Sequence, residues 1–285
     1  MSVDRMKSRF RDAPGVMISV HRGCWGPLPE NSAAAVQAAS AFDVVEVDVR
    51  LDALGDAYFM HDRSLLRMTG WDEAANGVAP GLLDDLRLKS GAGGETEPLT
   101  AHSVPRLEDG FAAICAGGAI FDLDVKLRED LVAVATQVSA LGMAARATLK
   151  IDVETRADIA ELKSLEAAFD IMVMAKVRLE CDADLDIVRA LKDADLAVVE
   201  VVYSDVELLR HACKIGGASM RVGVLTIDPA HSCGLSDTRA KRDPDAVWGC
   251  LVAAGVGQVM TDEPFKLSAY LKGAGNGAHG GDQAA

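Results

Sequence analysis

The chain contains 285 residues, and 43 acidic residues against 29 basic ones give it a formal net charge of −14 at pH 7. A surface this negative argues against sequence-independent binding to nucleic acid or anionic lipid, because both require a basic face that releases counterions. Hydrophobic residues at 49% and charged residues at 25% are ordinary for a globular protein and exclude a disordered or collagen-like chain.

Location and redox state follow from two further features. No run of about 18 apolar residues could span a bilayer, and no apolar segment follows the charged N-terminal residues. The six cysteines are scattered without a CxxC pair, so no zinc knuckle or thioredoxin-type site is expected. We therefore predict a cytoplasmic protein with reduced thiols and no stable membrane association, and a homo-oligomer stays open.

Short runs rich in Val, Ile and Leu alternate with segments of helical length, which is typical of βα units around a buried parallel sheet. The predicted strands are 16–21, 44–50, 57–61, 120–126, 147–152, 171–176, 196–202, 221–227 and 256–261. Segment 57–61 is expected to pair back onto the second strand. The predicted helices are 31–42, 107–116, 128–141, 156–168, 182–194, 205–214 and 244–254, with caps at Asn31 or Ser32, Thr155 and Ser204.

This alternation predicts the α/β class and a TIM-type (β/α)₈ barrel, a single domain with a small insertion. A doubly wound open sheet is the second choice, and its dinucleotide-binding version lacks support because no GxGxxG follows a strand. We expect an N-terminal extension at 1–14, the barrel at 15–271 and a disordered Gly- and Ala-rich tail at 272–285. The Gly- and Pro-containing stretch 71–105 is a loop or insertion, either a lid or a passive excursion.

Acidic residues interrupt two of the buried strands. Strand alternation places Glu46 and Asp48 on one face of VVEVDVR, and Asp122, Asp124 and Lys126 on one face of IFDLDVK. Buried carboxylates need a partner or a cation, and clustered oxygen ligands suit Mg²⁺ or Ca²⁺. We predict that Glu46, Asp48 and Asp124 bind a metal ion, and the alternative is that neighbouring basic side chains pair with them.

Two histidines stand where predicted strands end. His21 ends the first strand, and His61 ends the 57–61 strand. Because an imidazole near neutral pKa transfers a proton in either direction, two of them around one centre could serve as general base and general acid. Arg22 directly follows His21, and its forked guanidinium suits a phosphate.

These residues belong to a series of motifs: HRG at 21–23, PENS at 29–32, EVD at 46–48, HD at 61–62, DVK at 124–126 and TDEP at 261–264. SLLRMTG at 64–70 and VPRLEDGF at 104–111 accompany them. In this order and at this spacing, the chain closely resembles the glycerophosphodiester phosphodiesterase family from about residue 16 to about residue 264.

The resemblance implies a metal-dependent phosphodiesterase with its site at the carboxyl ends of the barrel strands. Its substrate would be a small soluble phosphodiester, a glycerophosphodiester or a sugar phosphodiester, cleaved to a phosphomonoester and an alcohol. The implied roles are acid and base for His21 and His61, and contact with the phosphate or its transition state for Arg22 and Lys126. Glu30 would orient Arg22 or another site residue, and one divalent cation, Mg²⁺ or Ca²⁺, would be bound by Glu46, Asp48 and Asp124.

The chain departs from the family pattern at Asp124, where a Glu is common, and at 221–228, where a Trp is usual. Instead, three other strands carry charges near their ends, at Lys150, Lys176 and Glu200. These side chains could bind the hydroxyl groups of a polar alcohol such as a sugar. The alternative is a ring of mutually neutralising charges in the barrel mouth.

Other functions fit the same motifs. A phospholipase D-like lyase would form a cyclic phosphate, and a transferase would use the same groups with an acceptor other than water. A non-catalytic sugar-phosphate-binding protein could also be built on this barrel. The presence of both His21 and His61 beside three acids argues against the last reading, because binding alone has no need of an acid and base pair.

Overall fold

A computed structural model describes residues 2–115 and 117–277. The strands are β1 Met17–Val20, β2 Val44–Leu51, β3 Ala57–Phe59, β4 Arg87–Lys89, β5 Leu99–Ser103, β6 Ile120–Val125, β7 Ala147–Asp152, β8 Met172–Leu179, β9 Val198–Tyr203, β10 Arg221–Leu225 and β11 Gln258–Thr261. The α-helices are α1 Ser2–Asp12, α2 Ala33–Ala39, α3 Leu66–Thr69, α4 Pro80–Asp85, α5 Leu107–Ile114, α6 Leu131–Ala140, α7 Arg156–Phe169, α8 Leu185–Asp193, α9 Val206–Gly216, α10 Asp237–Ala240, α11 Cys250–Ala253 and α12 Pro264–Gly277. Short 3₁₀ turns precede α6, β7 and α8, and a π-helical turn, Asp245–Gly249, leads into α11.

Eight parallel strands form a closed barrel. Their order is β1, β11, β10, β9, β8, β7, β6, β2, and β1 pairs with β2 to close the ring. The short β3 pairs antiparallel with β2, from Val49 opposite Phe59 to Leu51 opposite Ala57. The (β/α)₈ prediction is therefore confirmed, and so is the prediction that segment 57–61 pairs back onto the second strand.

Side chains of the barrel strands alternate between two environments. Val45, Val47 and Val49 of β2 pack in the large apolar cluster beneath the helices, whereas Glu46 and Asp48 point into the barrel. Because every strand of a parallel barrel is covered by helices, even the outward side chains are buried and apolar. The inward side chains Glu46 and Asp48, in contrast, give the barrel interior near the carboxyl ends an ionic character.

Helix starts follow local capping chemistry. Ser32 Oγ accepts the amide hydrogen of Ala35 at the start of α2, and Thr155 forms a capping box with Asp158 at the start of α7. The prediction for Ser204 is wrong, because Asp205 is the residue that caps α9 by accepting from the amide of Glu207.

The segment before the first strand is helical. α1 lies over the amino-terminal end of the barrel, where Met6 and Phe10 are fully buried against Met17 and Met172. The buried Lys7 amine, 3.2 Å from Glu166 Oε2, ties α1 to α7. The extension predicted at 1–14 therefore closes the bottom of the barrel.

The insertion at 71–105 has a small core of its own. It contains α4 and a two-stranded antiparallel sheet of β4 and β5. Leu83 and Leu88 from the insertion pack with Tyr58, Leu65 and Met68 of the preceding segment. The insertion is thus a packed subdomain on one side of the barrel mouth.

The C-terminal helix corrects the predicted start of the tail. α12 extends past Lys272, where disorder was predicted to begin, and residues 278–285 of that predicted tail lie outside the described part of the chain. Among the described helices, none is both long and apolar enough to cross a membrane.

Candidate active site

Three carboxylates meet at the carboxyl end of two neighbouring strands. Glu46 and Asp48 come from β2 and Asp124 from β6, and the parallel register sets Asp48 beside Asp124. One oxygen of each carboxylate lies within 4.8 Å of the others. The predicted ligand set is thus brought together, with Glu46 and Asp48 almost fully buried and Asp124 partly open to the barrel mouth.

Basic side chains surround Asp48 and Asp124. Lys126 Nζ lies 2.5 Å from Asp48 Oδ1 and 2.7 Å from Asp124 Oδ2, and Arg22 Nε lies 2.9 Å from Asp48 Oδ2. Burial alone would raise the pKa of Asp48, but the charges of Lys126 and Arg22 hold it well below its ordinary value. Its surroundings therefore favour the ionised form of Asp48, which is the form that can bind a cation.

Glu46 lies deeper in the cluster. Burial and the negative charge of Asp48 raise the pKa of Glu46 to about 7, although Lys150 opposes this shift. A cation among the three carboxylates would offset that repulsion. Because all the donors are carboxylate oxygens, the set fits a hard divalent ion such as Mg²⁺ or Ca²⁺.

His21 sits on the turn after β1 and is held by a distant carboxylate. Its Nδ1 lies 2.8 Å from Asp262 Oδ1, which also accepts a hydrogen bond of 2.9 Å from Trp25 Nε1. Asp262 is fixed in turn by its amide, which donates to Asp237 Oδ2 at 2.8 Å. Burial alone would lower the pKa of His21, but the hydrogen bond to Asp262 and the charge of Glu46 outweigh it and raise that pKa.

His61 follows β3 and is more exposed than His21. Its Nδ1 lies 2.8 Å from Oδ1 of the adjacent Asp62. Burial lowers the pKa of His61, and Asp48 and Asp62 only partly offset that effect. The pKa values of the two imidazoles are therefore shifted in opposite directions.

The loop that carries Arg22 has an unusual backbone. Arg22 and Asn31 adopt left-handed φ angles of 55° and 57°, and the amide of Asn31 donates to the carbonyl of Arg22 at 3.0 Å. Gly23, at φ 79°, lies so close to α2 that a Cβ would be 2.6 Å from the carbonyl carbon of Ala35. Such backbone strain persists where the surroundings hold it, commonly at functional sites. Here it directs Arg22 toward the carboxylates.

Arg22 and Asp48 are each fixed by a residue of the PENS motif. Arg22 Nη1 donates to both oxygens of Glu30, at 3.0 and 3.1 Å. Asn31 Nδ2 donates to Asp48 Oδ2 at 2.8 Å, and Asn31 Oδ1 accepts from the amide of Asp48 at 3.0 Å. The predicted contact between Glu30 and Arg22 is therefore present in the structure.

The three additional charged residues do not share one environment. Lys150 and Glu200 are buried in the barrel interior, with Lys150 Nζ 3.5 Å from Glu200 Oε2 and 3.3 Å from Asp122 Oδ2. Their mutual pairing matches the neutralising alternative. Lys176 instead lines a cavity of about 580 Å³ whose walls also include Asp124. Among the described residues, Lys176 forms no ion pair.

Several residues support the site in ways that the sequence did not predict. Asp262 and Asp62 orient the histidines, Asn31 orients Asp48, and Asp237 holds the amide of Asp262. All but Asp237 lie in motifs that the sequence singled out, and those motifs were the available signal. For Asp237, the first residue of α10, no local pattern gave a signal.

A comparison with protein families assigns most of the barrel. The model of the glycerophosphoryl diester phosphodiesterase family matches residues 21–178, which is more than half of the chain. The chain belongs to this family. Membership places it among the phosphoric diester hydrolases, and it confirms the resemblance drawn from the motifs. The model of a domain of unknown function matches residues 172–271.

Solved structures of the same family share the fold. A glycerophosphoryl diester phosphodiesterase from Parabacteroides distasonis has 18% sequence identity and a TM-score of 0.75, over 95% of this chain and 92% of that chain. A phosphodiesterase from Oleispira antarctica, solved in complex with the product sn-glycerol-3-phosphate, has 20% identity and a TM-score of 0.67, over 92% of this chain and 99% of that one. A search of curated proteins found no match.

Proposed function

We propose that this protein uses one divalent cation to hydrolyse a small phosphodiester, a glycerophosphodiester or a sugar phosphodiester, to a phosphomonoester and an alcohol. The observation that carries this proposal is the pair of carboxylate-backed histidines, His21 and His61, near one three-carboxylate cluster. The charges of both imidazoles act on Asp48 and lower its pKa, which supports assigning both histidines to one centre.

Each group has a role in phosphodiester hydrolysis. One imidazole removes a proton from the attacking water as its oxygen bonds to phosphorus, and the other protonates the alcohol oxygen that leaves. A cation held by Glu46, Asp48 and Asp124 would supply positive charge to the nonbridging oxygens as negative charge builds there. Arg22 and Lys126 would add fixed positive charge at the same place.

The test is an assay of phosphomonoester release. We expect activity on a panel of glycerophosphodiesters, lysophospholipids and sugar phosphodiesters to disappear after chelation and to return with Mg²⁺ or Ca²⁺. His21→Ala and His61→Ala should each lose at least about 100-fold in kcat, the scale of a lost general acid or base. Following the products by phosphorus NMR separates hydrolysis from cyclic phosphate formation.

Two results would contradict this function. Activity indifferent to chelation and to Glu46→Gln would remove the cation from the mechanism. Substantial activity in either histidine variant, folded to the same extent as the parent by circular dichroism, would remove that histidine from proton transfer.

The cavity beside Asp124 supports a polar leaving alcohol. Besides Lys176, its walls carry the carboxylates of Asp152 and Glu154, which form no ion pair among the described residues. Charged groups without a partner can hydrogen-bond the hydroxyls of glycerol or a sugar. The similar Oleispira antarctica phosphodiesterase was solved with the product sn-glycerol-3-phosphate, which is consistent with a substrate of this size.

Replacing Lys176 tests that assignment. We expect Lys176→Met to change the ratio of kcat/KM between a glycerophosphodiester and a sugar phosphodiester by about 10-fold, because one charged hydrogen bond is worth about 1.5 kcal/mol or more. Lys214→Met, at an exposed lysine on α9, is the matched control. An unchanged ratio would return Lys176 to a structural role.

A further inference from the structure

One arginine that was not predicted as a site residue contacts carboxylates on two different loops of the candidate active site. Arg67, on α3, donates from Nε to Asp62 Oδ2 at 2.6 Å and from Nη2 to Asp62 Oδ1 at 2.9 Å. The same Nη2 donates to Glu30 Oε1 at 2.7 Å. A single guanidinium therefore joins two carboxylates that belong to different loops.

Each of those carboxylates holds a group of the proposed mechanism. Asp62 Oδ1 is 2.8 Å from His61 Nδ1, and Glu30 accepts two hydrogen bonds from Arg22 Nη1. The contacts thus run without interruption from His61 through Asp62, Arg67 and Glu30 to Arg22. Five donors in one plane let arginine make these bonds at fixed angles, which the single amine of a lysine cannot do.

The insertion fixes the other side of Arg67. Its Nη1 donates to the carbonyl oxygen of Ala92, and its own carbonyl accepts from the amide of Gly94 at 2.8 Å. The amide of Glu30 donates to the carbonyl of Gly91 at 2.9 Å. The backbone of residues 91–94 therefore contacts both Arg67 and Glu30.

Glycine permits this close approach. Gly93 has a φ of 66°, and a Cβ there would lie 2.4 Å from the carbonyl oxygen of Arg67 and 2.7 Å from Met68 Sδ. No larger residue fits without displacing the backbone of α3. Glycine is thus required at position 93, where the insertion meets α3.

We propose that Arg67, held by residues 91–94 of the insertion, is a positioning residue that fixes the His61 imidazole through Asp62 and the Arg22 guanidinium through Glu30. This inference rests on the proposed function, in which His61 transfers a proton and Arg22 binds the phosphate. The insertion then acts as a support for both groups.

The burial of Glu30 makes this arrangement demanding. Glu30 is 2% exposed, and its carboxylate has two guanidinium partners. Removing Arg67 leaves that buried charge with Arg22 alone, and it leaves Asp62 free to turn away from His61. Loss of a partner that orients a functional group typically costs about 10- to 100-fold in activity.

The experiment compares Arg67→Gln and Arg67→Lys with Arg63→Gln, a control at an exposed arginine four positions earlier. In protein with ¹⁵N-labelled histidines and neither metal nor substrate, we expect Arg67→Gln to shift the ring signals of His61 and to leave those of His21 in place. In the holoenzyme, we expect kcat to fall about 10- to 100-fold in both Arg67 variants. Guanidinium added to Arg67→Ala should restore part of that loss.

The outcomes separate the two proposals. Unshifted His61 signals, or a kcat equal to that of the Arg63→Gln control, would overturn the positioning role. An inactive parent enzyme whose His61 signals still shift in Arg67→Gln would overturn the proposed function and keep the positioning of the imidazole. If Arg67→Gln does not unfold cooperatively, Arg67→Lys, which keeps the charge, and Gly93→Ala, which displaces the support, carry the same readouts.

Discussion

Each histidine of the candidate site depends on one carboxylate, and the two carboxylates differ in how they are held. Asp262 comes from the far end of the chain and receives hydrogen bonds from His21 and Trp25. Asp62 directly follows His61 in the chain and accepts bidentate hydrogen bonds from Arg67. The orientation of the His61 ring therefore depends on the ion pair between Asp62 and Arg67.

That ion pair should be visible in the acid stability of the fold. Burial alone would raise the pKa of Asp62, but hydrogen bonds from Arg67 and His61 lower it to about 2 from an ordinary value of 3.8. A carboxyl group with a lowered pKa stabilises the folded state above its unfolded pKa, and that contribution is lost as the pH falls through the folded pKa.

We therefore expect Asp62→Asn to have a smaller free energy of unfolding than the parent above about pH 4, with a difference that shrinks as the pH approaches about 2. Urea titrations at a series of pH values measure it. Asp72→Asn, at an exposed carboxylate without an ion pair among the described residues, is the control. A difference that stays constant with pH would contradict the contribution of the ionised pair.

The sequence was most informative where the backbone imposes a period. Alternation along β2 and β6 was enough to place Glu46, Asp48 and Asp124 together, because strand geometry sends every second side chain to the same face. Asp262 could not be assigned in this way, since it lies 241 residues from His21 and reaches it only when the barrel closes. Lys150 and Lys176 differ for a similar reason, because packing decides which one faces the cavity.

At the scale of elements, the strands and most helices followed from apolar patterns, but the two additions to the barrel did not. α1 forms from a charged segment with three apolar residues, Val3, Met6 and Phe10. Met6 and Phe10 become buried only because they pack against the bottom of the barrel. The insertion has short elements that depend on one another for burial. Local sequence gives little indication of such mutual dependence.

Removing the largest side chain of α1 tests how much the helix stabilises the barrel. We expect Phe10→Ala to lower the free energy of unfolding by about 3 to 5 kcal/mol, because a fully buried aromatic ring leaves a cavity behind. Denaturant titration measures the change. Arg5→Ala, on the exposed side of the same helix, should stay within about 0.5 kcal/mol of the parent. If Phe10→Ala lowered the free energy of unfolding as little as Arg5→Ala does, α1 would not be part of the cooperative unit.

At the scale of the whole molecule, net charge and proposed substrate have the same sign. A formal charge of −14 repels an anionic phosphodiester until the substrate comes within about one Debye length of the positive groups at the site. The Debye length falls from about 30 Å at 0.01 M salt to about 10 Å at 0.1 M. Screening should therefore help the substrate to reach the site.

We expect kcat/KM for an anionic diester to rise across that salt range while kcat stays constant, because only the encounter is affected. Steady-state kinetics at fixed metal concentration measure both values. A zwitterionic diester of similar size is the control and should respond weakly. A fall in kcat/KM with added salt would mean that local attraction at the site outweighs the charge of the molecule.

The proposed functional residues are distributed unequally between the two halves of the closed barrel. The proposed acid and base pair, the three carboxylates and both phosphate-binding groups come from β1, β2, β3, β6 and the turns that follow them, and the later strands add Asp262 and the outer wall of the cavity at Lys176. The loops after β7, β8 and β9 thus carry none of the proposed catalytic or phosphate-binding groups. New alcohol preferences could arise by exchanging the loops after β7, β8 and β9, whereas the segment after β10 must keep Asp237, which holds Asp262 behind His21.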